Sequence, residues 1–134
     1  MSHPLIYPMF THVVFTAFLY VILTIARAPS IWGIGNRPDG SNPWADIEPR
    51  ISRNLSNQFE WPLLFYVACL ILLFREPESI TLFLAWVFIG GRFLHSTIQI
   101  LTTNVRLRGI VFTINFLAVL GLWSVLALNS HNIA

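Results

Sequence analysis

The stretch that most constrains this chain joins a polar helical face to an apolar run. Arg53-Asn54-Leu55-Ser56-Asn57-Gln58-Phe59-Glu60 leads straight into Trp61-Pro62-Leu63-Leu64-Phe65-Tyr66-Val67-Ala68-Cys69-Leu70-Ile71-Leu72-Leu73-Phe74. As a helix the apolar part would be about 21 Å long, short of the roughly 30 Å hydrocarbon core of a bilayer. A span built from it must draw its polar start into the membrane, and Glu60 goes with it. Ionisable side chains at that depth are costly and usually mark a site.

Composition places the rest of the chain in the same setting. The 134 residues are 55% hydrophobic and only 10% charged, whereas soluble domains carry about 25% charged residues. Every basic residue is Arg, and the net charge is +2. That charge is too small, and too much of it lies inside hydrophobic segments, for a nucleic-acid partner. The lone Cys69 cannot form an intrachain disulfide, and its place in an apolar run suits a small buried hydrophobe better than a nucleophile. The N-terminus lacks a basic n-region and a small-residue cleavage pattern, so its apolar run is expected to be a retained span.

Four spans are expected, at about 7–26, 50–74, 80–101 and 108–128, with a long Pro-, Gly- and Asn-rich loop over 28–49. Each reaches the roughly 20 residues that a transmembrane helix needs. The strict alternation of β-barrel strands is absent, and the first and last spans lack the polar outer face of a soluble bundle. The expected fold is therefore an all-α integral membrane protein, a four-transmembrane-helix bundle forming one domain over 1–134. The loop over 28–49 reads as a linker, with a lid over a site as the alternative. Arg27, Arg37, Arg50, Arg53, Arg106 and Arg108 flank the first and third connections, against Arg75 alone on the other side. That bias puts both arginine-rich connections in the cytoplasm and both termini outside.

Within the spans, polar residues recur at helical spacing. Tyr20, Thr24 and Arg27 share a face on the first span, and Arg53, Asn57 and Glu60 on the second. Arg92, His95, Ser96 and Gln99 do so on the third, and Arg108 and Asn115 on the fourth. Taken singly, Arg27 and Arg108 could snorkel to headgroups, and the hydroxyls and amides could bridge helices. Arg92 is harder to dismiss, because it lies well inside its span and needs a buried partner; Glu60, the one acid within a span, is the expected partner. His95 has no second His or Cys at ligand spacing, so a metal site is not expected. Similar depth on four helices points to one polar pocket. Its excess of arginine over carboxylate suits a small zwitterion with net negative charge, since guanidinium groups bind carboxylates bidentately. A transporter is the weakest reading, because paired Gly/Pro-broken helices are missing.

These residues resemble the MAPEG superfamily, the membrane-associated proteins of eicosanoid and glutathione metabolism. Arg53-x-x-x-Asn57-x-x-Glu60 is similar to that family's Arg-x-x-x-Asn-x-x-Glu signature. Arg92-Phe93-Leu94-His95 through Arg106-Leu107-Arg108-Gly109 is similar to its Arg-x-x-His, connecting loop and following arginine. The resemblance covers nearly the whole chain and looks more like bacterial members, which implies a bacterial inner membrane. It implies a homotrimer with glutathione at the subunit interface and a lipophilic small-molecule substrate. By position, Arg27, Arg53, Asn57, Glu60, Arg92, His95 and Gln99 would bind glutathione or support its site, and Arg108 would stabilise the thiolate. Gln99 stands where prostaglandin E synthase-like members carry a tyrosine, and Gly109 and Phe112 where they carry serine and tyrosine. Those departures count against the prostaglandin isomerase reaction and motivate the alternative of a non-catalytic lipid- or partner-binding protein, while Arg108 keeps the expectation of glutathione transferase- or peroxidase-like chemistry.

Overall fold

The computed structural model describes residues 3–129, which fold as helices joined by turns and loops. The helices are α1 (Ile6–Trp32), α2 (Glu48–Asn57), α3 (Trp61–Leu72), α4 (Ser79–Leu101) and α5 (Val105–Asn129). Helices α2 and α3 together make one crossing, Glu48–Leu72, so that 4 segments are long and apolar enough to span a membrane. The expectation of one domain over 1–134 reaches past the described residues at both ends.

The second crossing is not the continuous helix that the periodicity predicts. Pro62 lacks the N–H that would close the preceding turn, and its ring crowds the carbonyl four residues back. The chain tightens ahead of it. Gln58, Phe59 and Glu60 donate their backbone N–H groups to Leu55, Ser56 and Asn57 at 3.1, 3.0 and 3.3 Å. Each of these bonds spans three residues, as in a 3₁₀ turn. Glu60, at φ −96° and ψ −99°, is where the helical course is lost, and α3 restarts at Trp61.

The first crossing is longer than expected. It runs past Arg27 and through Pro29 to Trp32, where Gly33 ends it at φ 68°. At helical rise α1 is about 40 Å long and outlasts a hydrocarbon core. The following loop ties back to it through Asn42, whose Nδ2 donates to the Ala26 carbonyl at 3.0 Å. At the start of α5, Asn104 caps the helix by accepting the Leu107 N–H on its side-chain oxygen at 3.0 Å. This cap sets Arg108 in the first turn.

The interior is layered. Phe65, Ala68, Cys69 and Leu72 of α3 pack against Ala85, Phe88 and Ile89 of α4 and Ala118, Val119 and Leu122 of α5. The Phe65 and Phe88 rings stack at 4.2 Å. Toward the other end, Leu19, Leu23 and Ala26 of α1 pack on Ile51, Leu55 and Ile100. Between the two apolar clusters lies a buried polar layer: His12, Asn54, Gln58, Arg92, Ser96 and Gln99. Without water, such a layer persists only if its members pair with one another.

Candidate functional site

Helix α4 brings the deepest part of the site. Its inward face is apolar through Ala85, Phe88 and Ile89, then continues in the same register as Arg92, His95, Ser96 and Gln99, all buried. The tightened turn between α2 and α3 meets this face, and the α5 N-terminus closes the third side. Two cavities lie at that junction and share Asn57 and Glu60. The outer one, about 480 Å³, is lined by Ser52, Arg53, Ser56, Asn57, Glu60, Gln99 and Arg108. The inner one, about 420 Å³, is lined by Asn57, Glu60, Trp61, Arg92, His95 and Phe112. The residues expected from the second, third and fourth spans therefore converge, with Arg53 and Arg108 at the outer cavity and Arg92 and His95 at the inner one.

The floor of the site is hydrogen-bonded in one sense throughout. Gln99 Oε1 accepts from Asn54 Nδ2 at 2.8 Å and from Asn57 Nδ2 at 3.1 Å. With its amide nitrogen engaged there, Asn57 has its carbonyl oxygen left to receive a donor. Gln99, at the position where tyrosine is expected in some relatives, thus fixes how Asn57 is turned. Arg92 Nε donates to Gln58 Oε1 at 3.3 Å. Arg92 Nη2 and His95 Nδ1 are buried and have no hydrogen-bond partner among the described residues. Trp61 stacks on Phe116 at 4.9 Å and donates its indole N–H to the Asn115 carbonyl at 3.3 Å, which fixes the wall between α3 and α5.

Three expectations need correction. Arg92 and Glu60 line one cavity but form no close ion pair. The turn before Pro62 leaves Glu60 exposed, while Arg92 is only 1% exposed and is held by Gln58. Among the described residues, the one close ion pair is Arg27 with Glu48, at 2.7 Å. Arg27 also donates to Ser52 Oγ at 3.1 Å. With Tyr20 and Thr24 it faces a different cavity, about 340 Å³, which shares Ser52 and Ser56 with the outer one. The first-span stripe therefore lines a cavity beside the site and neither of its two cavities. Asn115 is fully buried against Gly91 and does not line the site. The 33–47 loop lines neither cavity of the site.

Ser52, Ser56 and Trp61 line the site without having been expected from the sequence. The two serines are four residues apart on α2, beside the Arg53 and Asn57 face, and that spacing was the available signal. His12 and Gln58, which hold Arg92 from behind, carried the same signal as Arg92 itself: a polar residue deep in an apolar span.

The family model for the MAPEG family matches residues 5–128. No curated protein and no solved structure matches the chain.

Proposed function

The chain belongs to the MAPEG family, and from that premise we propose that it is a membrane-bound, glutathione-dependent transferase or peroxidase acting on lipophilic electrophiles. The observation that carries the reading is the convergence of Arg53, Arg92 and Arg108 with Asn57 and Glu60 on two cavities that share a wall. The donor set fits glutathione. Arg53 at the outer cavity and the unpartnered Nη2 of Arg92 at the inner one suit its carboxylates, and Glu60 with the Asn57 carbonyl suits its ammonium group. Glutathione, when bound, supplies the thiol. Arg108 holds negative charge at the sulfur and so favours thiolate over thiol. His95 and Gln99 line the walls.

We assign Arg27 a role from a neighbouring copy, because within one chain it lines an adjacent cavity and neither of the two that hold Arg53, Arg92 and Arg108. A homotrimer with its site between copies accommodates this. The second substrate, a lipophilic small molecule, reaches the site sideways from the bilayer. The membrane is a bacterial inner membrane, with the arginine-rich connections in the cytoplasm and both termini outside. The alternative is a non-catalytic protein that binds a lipid or partner at the same place. It is favoured by Gly109 and Phe112, which leave the α5 side of the site without a hydroxyl group.

Calorimetry on detergent-purified protein tests the cofactor. We expect wild type to bind glutathione and Arg53→Ala to bind it more weakly; no heat in wild type refutes the proposal. Ultraviolet thiolate absorbance tests Arg108. At glutathione saturation it should fall in Arg108→Ala, and equal absorbance in both proteins removes that role. Turnover of a generic electrophile decides between the enzyme and the binding protein.

A further inference from the structure

Behind the site, Arg92 is held by a chain of hydrogen bonds whose direction is forced. His12 of α1 and Gln58 are each 2% exposed. Gln58 Oε1 lies 3.3 Å from Arg92 Nε and 2.8 Å from His12 Nε2. His12 Nδ1 lies 2.5 Å from the Tyr66 hydroxyl. A guanidinium can only donate, so Gln58 must turn its oxygen toward Arg92. The same oxygen faces His12, so His12 Nε2 must carry a proton. A neutral imidazole has a single N–H, so Nδ1 is an acceptor. The Tyr66 O–H meets that need. On its other side, the Gln58 amide nitrogen donates to the Asn54 carbonyl at 3.0 Å and to Asn54 Oδ1 at 3.1 Å.

We propose that Tyr66 and His12 are positioning residues which, acting through Gln58, hold the Arg92 guanidinium by its Nε and leave Nη2 available to an anion in the inner cavity. Tyr66 fixes the imidazole tautomer, the tautomer fixes the Gln58 amide, and the amide fixes the arginine. Tyr66 and His12 do not line the inner cavity, so they act only through Gln58. The inference rests on reading that cavity as the glutathione site, but its central link, Tyr66 to Arg92, can be observed without glutathione.

The test uses the full chain in detergent, with four proteins: wild type, Tyr66→Phe, His12→Gln, and the double variant. A glutamine at position 12 presents an amide N–H where His12 Nε2 stands, with no tautomer to choose. One readout is the ¹⁵N–¹H resonance of Arg92 Nε, assigned through Arg92→Lys; the other is glutathione affinity by calorimetry. Tyr66→Phe should shift the resonance and weaken binding about tenfold, the size of one lost buried hydrogen bond. In the His12→Gln background the same Tyr66→Phe change should alter neither. A resonance that Tyr66→Phe leaves in place, or moves equally in both backgrounds, overturns the proposal. Absence of glutathione binding in wild type, together with the expected resonance pattern, refutes the glutathione reading and upholds the positioning of Arg92.

Discussion

Gly90 and Gly91 sit side by side inside α4 and should respond oppositely to the same substitution. A Cβ at Gly91 would stand 3.0 Å from Asn115 Oδ1, 3.3 Å from Asn115 Cγ and 3.3 Å from Ile114 Cγ2, whereas one at Gly90 would meet nothing within 4 Å. Alanine at either position gains the same helical preference, roughly 0.5–1 kcal/mol. The difference between the two variants therefore isolates the contact with α5. Overpacking of that kind costs about 1–3 kcal/mol. Asn115 has little room to yield, because it is fully buried. Gly90→Ala should equal or exceed wild type in apparent unfolding midpoint, and Gly91→Ala should fall below it. The assay is thermal unfolding in one detergent at one scan rate, since membrane proteins often unfold irreversibly. Adding Asn115→Ala to Gly91→Ala should recover part of the loss, because the two changes share a contact. Equal midpoints for Gly90→Ala and Gly91→Ala would refute the close approach of α4 and α5 on which the geometry of the site depends.

The remaining predictions concern polar contacts. Gln99→Leu strands the amide nitrogens of Asn54, which is fully buried, and Asn57. It should cost about 1–3 kcal/mol in stability and weaken glutathione binding; an unchanged unfolding midpoint would show that Gln99 does not organise the floor. Glu48→Gln removes the 2.7 Å pair with Arg27, whose side chains are 43% and 24% exposed. Solvent screening limits the effect to about 0–1 kcal/mol, and the difference from wild type should shrink further in high salt. Trp61→Phe keeps an aromatic ring against Phe116 but loses the indole donor to Asn115. A midpoint loss corresponding to about 1 kcal/mol is expected; a loss several times larger would mean that the ring, not the N–H, holds the wall.

The crossings were legible because apolar runs of spanning length have few other uses, and the Arg, Asn, Glu and His spacings survive as a shared cavity wall. Other features could not be read from periodicity. Helical spacing shows that Tyr20, Thr24 and Arg27 share a face, but it does not show which neighbour that face meets. Here that face meets α2 across a cavity that Arg108 does not line. Spacing likewise treats Arg53, Asn57 and Glu60 as one uninterrupted stripe, although Pro62 ends the regular helix at Asn57. Nor does it weigh Gln58, whose importance comes from standing between His12 of one crossing and Arg92 of another.

The interruption at Pro62 connects these observations. A regular α-helix in a bilayer satisfies its own backbone and offers little to a ligand, whereas an interruption must find new partners for the freed groups. This chain finds them in the run of three-residue turns from Gln58 to Glu60 and in the Gln58 side chain, which reaches back to the Asn54 carbonyl. That bond and the His12 N–H together turn the Gln58 oxygen toward Arg92. The same turn carries Glu60 to the rim and delivers Trp61 to the inner wall. The proline that complicates the crossing thus separates Glu60 from the deepest arginine. Left apart, the two serve opposite charges of one zwitterion; paired at close range, they would neutralise each other and leave the cavity little to hold.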